Sequence, residues 1–229
     1  MPNISDNLIK VHQRIQAVTQ RAGRNPHAVT LLAVSKTKPV EDIAAAYHAG
    51  QRDFGENYAQ EALGKIQQLA HLDLIWHFIG PIQSNKSRVI AEHFDWVHSV
   101  DRLKIAQRLS EQRPKHLPPL NICLQVNIDH QISKAGCDPG TSIELAKSIA
   151  VLPGLALRGL MAIPAPNAGE QPFIALAQLM KEMNSQLRSP IDTLSMGMSA
   201  DMDSAIAAGA TIVRIGSAIF GERAKPAPG

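Results

Sequence analysis

The sequence predicts an α/β fold in which eight parallel strands close into a TIM-like (β/α)8 barrel, preceded by one extra N-terminal helix. Three observations carry this. Short apolar runs alternate with helical patterns along nearly the whole of the 229-residue chain. Eight such strand–helix units favour closure into a barrel. The first run, Leu31-Leu32-Ala33-Val34, is continuously apolar, as a strand covered on both faces requires. A doubly wound open sheet is the alternative, and no Gly-x-Gly-x-x-Gly follows the first strand to support it.

The elements follow in order. An amphipathic helix is expected over 4–22, with Ile4, Leu8, Val11, Ile15 and Val18 at spacings of three and four and Gly23 closing it. Strands are expected at 30–35, 52–55, 74–79, 96–100, 121–128, 157–162, 193–197 and 211–215. Helical patterns fill 40–49, 58–69, 86–93, 103–112, 143–152, 174–187 and 200–208. Ala49-Gly50 and Ala208-Gly209 each end a helix with the residue that adopts a left-handed cap most easily. The Pro-rich stretch 163–169 reads as a loop after strand six. No Pro/Gly/Ser-rich linker divides the chain, so a single domain over 1–229 is expected.

Composition excludes several classes. The hydrophobic content of 45% is ordinary for a globular chain. No run approaches the roughly twenty apolar residues of a membrane span. Residues 1–7 are polar and lack the apolar region of a secretory signal, so a cytoplasmic protein with no membrane partner is expected. Cys123 and Cys137 fit neither metal nor redox spacing and are expected to be reduced thiols. The net charge of +3 is small and dispersed. Its densest basic stretch, Lys104, Arg108, Arg113, Lys115 and His116, is broken by Glu111 and reads as a solvated helix face, so no nucleic-acid partner is expected. The nine histidines show neither zinc spacing nor a close helical pair, and no metal is expected. His77 reads as a satisfied core histidine. The segment from Gly80 to Ser87 resembles a phosphate-binding P-loop, but Asn85 stands where the second glycine is needed.

Barrel active sites lie at the C-terminal ends of the strands. Strand one ends at Lys36, where partial desolvation favours the neutral amine, and a neutral amine can attack a carbonyl to give a Schiff base. A lysine that only snorkels out of the core is the plain alternative. Strand seven ends at Gly197-Met198-Ser199 and strand eight at Arg214, Gly216 and Ser217. The loops after strands seven and eight often hold phosphate in such barrels. Ser199 is expected to precede the helix over 200–208, where free amides favour an anion. Gly216-Ser217-Ala218 offers unobstructed amides and a second hydroxyl. Closure sets strand eight beside strand one, so an aldehyde-reactive lysine would neighbour a phosphate site. That combination points to a phosphorylated aldehyde, of which pyridoxal 5′-phosphate is the obvious example. Arg214 shares the strand parity of Gly216 and could face the ring, where a cation would keep a pyridine nitrogen unprotonated.

The motifs Leu-Leu-Ala-Val-Ser-Lys36-Thr-Lys-Pro, Phe-Gly-Glu56-Asn57-Tyr, Trp-His-Phe-Ile-Gly-Pro-Ile-Gln-Ser-Asn-Lys86, Gly-Leu-Met161-Ala-Ile-Pro, Leu-Ser-Met-Gly-Met-Ser199 and Val-Arg214-Ile-Gly-Ser217-Ala-Ile-Phe-Gly cover nearly the whole chain. Together they resemble the pyridoxal phosphate homeostasis proteins, the YggS/PROSC group. The resemblance implies a fold-type III barrel, similar to the N-terminal domain of alanine racemase. It implies Lys36 as the Schiff-base lysine, Ser199, Gly216 and Ser217 at the phosphate, and Arg214 at the pyridine nitrogen. It also adds Asn57 and Met161 to the cofactor pocket. Ala200 and Ser217 depart mildly from the family pattern, which often has an acidic residue and a threonine there.

The expected function is therefore binding of pyridoxal phosphate and a role in its intracellular homeostasis, with no established catalytic residue. An amino-acid racemase of low activity is the alternative, and a Schiff-base aldolase a weaker third. Only a short tail follows the eighth strand, and Tyr47 and Tyr58 belong to early helices, so no second acid/base is evident. A monomer is expected, with apo-enzymes that use the cofactor as recipients. Lys38 and Lys134 are expected at the barrel mouth, where either could accept the cofactor as it enters or leaves Lys36.

Overall fold

The computed structural model describes residues 3–131 and 135–222. Helix α1 (Ile4–Arg21) opens the chain. The strands are β1 (Thr30–Val34), β2 (Asp53–Glu56), β3 (Ile75–Phe78), β4 (Trp96–Val100), β5 (Leu120–Gln125), β6 (Leu155–Met161), β7 (Thr193–Ser195) and β8 (Ile212–Ile215). Between and after them lie α2 (Val40–His48), α3 (Ala59–Gln68), α4 (Ser87–His93), α5 (Leu103–Gln112), α6 (Pro139–Ala150), α7 (Gln171–Asn184), α8 (Met202–Ala207) and α9 (Ser217–Phe220). The strands form a closed parallel barrel in sequence order. Thr30 pairs with Ile212 and Ala33 with Ile215, which closes the seam between β1 and β8.

Leu31, Leu32 and Ala33 are buried, as a strand covered on both faces demands. Each outer helix turns one apolar stripe to the barrel. In α5, Ile105, Ala106 and Leu109 are fully buried. The extra helix α1 is capped by Asn3, whose side chain accepts from the Asp6 amide. Its stripe from Ile4 to Val18 is buried, and it packs between α2 and α8 while touching α9. Arg14 of α1 donates to Asp203 at 2.8 Å and to the Ser199 carbonyl at 3.3 Å. The extra helix therefore braces a loop at the barrel mouth.

Several boundaries differ from the periodicity, each for a local reason. The expected strand 121–128 stops at Gln125, because the chain turns at Asn127, whose side chain accepts from the Gln131 amide. Helix α6 begins four residues earlier than the apolar pattern, because Asp138 accepts from the Gly140 amide and Pro139 occupies the first turn. Residues Ser84–Lys86 form a 3-10 turn ahead of α4. Helix α8 begins at Met202, so Ser199 lies in the loop before it and is not its N-cap. The four-residue helix α9 was not expected from the sequence.

Candidate functional site

A cavity of about 390 Å³ opens at the C-terminal ends of the strands, a size typical of small-molecule sites. Lys36, Asn57, Ser199, Arg214, Gly216 and Ser217 all line it. Six of the seven residues singled out from the sequence are thus together. The seventh, Met161, ends β6 fully buried and does not line the cavity. Val34, Ile79, Ile163 and Met198 supply the apolar part of the wall.

Lys36 follows β1 and is half-buried. The next residue, Thr37, has φ +63°, a left-handed conformation uncommon for a β-branched side chain. Its amide donates to Glu61 Oε1 at 2.7 Å, which helps hold that turn. Beneath it lies a buried charged cluster. Lys65 Nζ donates to Glu56 Oε1 at 2.8 Å, to Glu61 Oε1 at 2.6 Å and to the Ser35 carbonyl at 2.8 Å. The Ser35 hydroxyl also donates to Glu56 Oε1, at 2.6 Å. Burial pushes the Glu56 carboxyl above its ordinary range, against the pull of Lys65 and Ser35.

Gly80 is required opposite Asn57. A Cβ at Gly80 would stand 2.1 Å from the Asn57 carbonyl oxygen, so only glycine lets the loop after β3 press on that residue. Asn57 Oδ1 is buried without a protein partner. Gly197 has φ +95°, and a Cβ there would meet Ala205 at 2.6 Å. It turns the chain from β7 into the loop that carries Ser199. Gly216 stands at the N-cap position of α9 and Ser217 at its first residue. The Ile219 and Phe220 amides both donate to the Gly216 carbonyl, at 2.9 and 3.0 Å, which closes this short turn.

Arg214 is 4% exposed. Its Nη1 donates to the Ser195 carbonyl at 2.6 Å and the Ser195 hydroxyl at 2.8 Å, and its Nη2 to the Ala162 carbonyl at 3.0 Å. Burial lowers it to about 10, so it remains a cation at neutral pH. Lys38 lines the cavity, but its ammonium is engaged by the carbonyls of Phe220, Gly221 and Glu222 at 2.9–3.1 Å. Lys134 lies outside the described residues. Tyr47 and Tyr58 do not line the cavity.

Cys123 and Cys137 are free and buried, and burial pushes both thiols up to about 12. His77 is buried and hydrogen-bonded on both ring nitrogens, to Asp53 and His98. Among the described residues, no group of three His, Cys, Asp or Glu side chains could hold a metal ion. No described helix is long and apolar enough to cross a membrane. Sequence reasoning missed Lys65 and the partners of His77. Lys65 had a signal, because it shares the buried face of α3 with Ala62.

A parallel eight-stranded barrel with a lysine after β1 and a cavity reaching β8 defines a class. Residues 7–224 match the family model of the alanine racemase N-terminal domain. A pyridoxal phosphate homeostasis protein of Pseudomonas aeruginosa is 59% identical, over 100% of this chain and 99% of its own length. That of Escherichia coli K12 is 54% identical, over 97% and 98%. The chain belongs to the alanine racemase N-terminal domain family and, within it, to the pyridoxal phosphate homeostasis proteins. PipY of Synechococcus elongatus, solved with pyridoxal phosphate bound, is 37% identical with a TM-score of 0.83, covering 95% of this chain and 100% of PipY. Alanine racemase from Corynebacterium glutamicum shares the fold at 16% identity and a TM-score of 0.69, with 96% of this chain covering 60% of that one.

Proposed function

We propose that this chain binds pyridoxal 5′-phosphate in the cavity at the barrel mouth, through a Schiff base on Lys36, and acts in intracellular homeostasis of that cofactor. The observation that carries the reading is the convergence of an amine, a buried guanidinium and two hydroxyls on one cavity. The residues fit the group. Asn57 offers a buried amide oxygen that no protein atom satisfies, so a polar ligand atom has a site to fill. Bound there, pyridoxal phosphate would supply an aldehyde carbon for Lys36 and an electron-drawing ring.

Each residue then has a physical task. Lys36 provides the nucleophilic nitrogen. Ser199, Ser217 and the amides from Gly216 to Ala218 donate to the phosphate. Arg214, held by the Ser195 and Ala162 carbonyls, donates toward the ring nitrogen and keeps it without a proton. An unprotonated ring is a weak electron sink, which suits a carrier better than a catalyst. Racemisation needs an acid/base on each face of the bound substrate, and Tyr47 and Tyr58 do not reach the cavity. The chain would act as a cytoplasmic monomer of one domain that delivers the cofactor to apo-enzymes. Absorption spectra of purified protein titrated with pyridoxal phosphate test the reading. A visible band that Lys36→Ala abolishes is expected, and an identical band in the variant would overturn it.

A further inference from the structure

A chain of hydrogen bonds crosses the barrel interior from β2 to β8. Asp53 Oδ1 lies 3.0 Å from His77 Nε2. His77 Nδ1 lies 2.9 Å from His98 Nε2, and His98 Nδ1 lies 2.7 Å from Ser195 Oγ. Ser195 Oγ lies 2.8 Å from Arg214 Nη1. His77, His98, Ser195 and Arg214 are all buried. The Asp53 side chain is 23% exposed and borders a separate cavity of about 270 Å³ at the N-terminal ends of the strands.

With both imidazoles neutral, the two ends decide the direction of every bond between them. A guanidinium only donates, and a carboxylate only accepts. Asp53 therefore takes the proton-bearing Nε2 of His77. A neutral His77 then has Nδ1 as an acceptor, which receives His98 Nε2–H. His98 Nδ1 accepts the Ser195 hydroxyl, whose oxygen accepts from Arg214. This single assignment satisfies all the polar atoms with both imidazoles neutral. Reversal would leave the buried Ser195 hydroxyl proton without its acceptor, a costly state. Burial first, and with it the Arg214 cation, hold His98 well below its ordinary range, in keeping with a neutral ring.

We infer that Asp53, His77, His98 and Ser195 form a directional relay that positions Arg214 against the ligand ring, with Asp53 as the remote positioning residue that sets its polarity. The inference rests on the reading of the cavity as a pyridoxal phosphate site. It assigns a task to side chains that never touch the cavity ligand. It also explains why a polar column occupies a barrel interior that aliphatic side chains could fill.

Long-range proton–nitrogen correlation spectra of the ligand-free protein read the tautomers directly. In wild type, His77 and His98 should each carry a proton on Nε2 and accept at Nδ1. Asp53→Asn preserves shape but presents either a carbonyl or an amide to His77, so both tautomers should populate. Its affinity for pyridoxal phosphate should fall about two- to ten-fold, the size of one ordinary hydrogen bond. Ser195→Ala cuts the relay at the other end while the Arg214 bond to the Ala162 carbonyl remains available, and the same loss is expected. A proton on Nδ1 of either histidine in wild type would overturn the polarity. Wild-type affinity in both variants would overturn the positioning role. Wild-type protein with the expected tautomers but no binding of pyridoxal phosphate would contradict the cofactor reading, and Arg214's role with it, while the polarity stands.

Discussion

Lys38 Nζ donates to the Phe220 carbonyl at 2.9 Å across the seam where β1 meets β8. The same ammonium reaches the Gly221 and Glu222 carbonyls. It thus caps the C-terminal end of α9, whose N-terminal end carries Gly216 and Ser217. Spacing alone marked Lys38 as a spare amine at the mouth. Its contacts give it a structural task instead. Lys38→Ala should lower stability by about 1 kcal/mol, since the site is only partly buried. That corresponds to a midpoint roughly 2–4 °C lower in thermal unfolding of the ligand-free protein. An unchanged midpoint would show that the three carbonyls are equally well served by water.

The serine hydroxyls should matter for cofactor retention. Hydrogen bonds to a charged group contribute about 1.5–3 kcal/mol. Ser199→Ala and Ser217→Ala should each weaken pyridoxal phosphate binding by roughly ten- to hundred-fold in equilibrium titration. A double variant that retains wild-type affinity would remove the phosphate from this part of the cavity.

Stability should fall on mild acidification. The folded protein keeps His98 neutral well below its ordinary value of 6.5, while the unfolded chain takes up a proton there. The unfolded state then binds more protons, so stability is full above that value and declines as pH drops below it. One such histidine contributes a slope of up to about 1.4 kcal/mol per pH unit. His12, also lowered by burial, adds to the slope. Denaturant unfolding at pH 7, 6 and 5 checks this. His98→Gln should start less stable and lose less with acid; parallel decline in the two proteins would place the sensitivity elsewhere.

The barrel was legible because its strands and helices carry simple periods and glycine stops. Trp96–Val100 and Leu103–Gln112 agree with the reading to the residue. Where it slipped, capping chemistry or side-chain contacts overrode periodicity, as at Asp138 for α6 and Asn127 after β5. The cavity was legible through Lys36, Ser199 and Arg214 because strand ends map onto one face of a closed barrel. The relay was not. Asp53, His77, His98 and Ser195 lie on four strands, separated by 21 to 97 positions at each bond. Nothing local in the sequence distinguishes their pairing from four unrelated polar residues.

Turnover should be absent. Protein loaded with pyridoxal phosphate and incubated with L-alanine in heavy water should show no sustained exchange at the α-carbon or formation of the D-isomer. A steady rate that depends on Lys36 would promote the racemase reading over the carrier one.

Lys36 is the proposed attachment point of the cofactor. Borohydride reduction of protein loaded with pyridoxal phosphate, followed by peptide mapping, tests it most directly. A pyridoxyl group on Lys36 is expected, and none at the corresponding peptide of Lys36→Ala. A pyridoxyl group on another lysine, such as Lys38 or Lys65, with Lys36 unmodified would contradict the account.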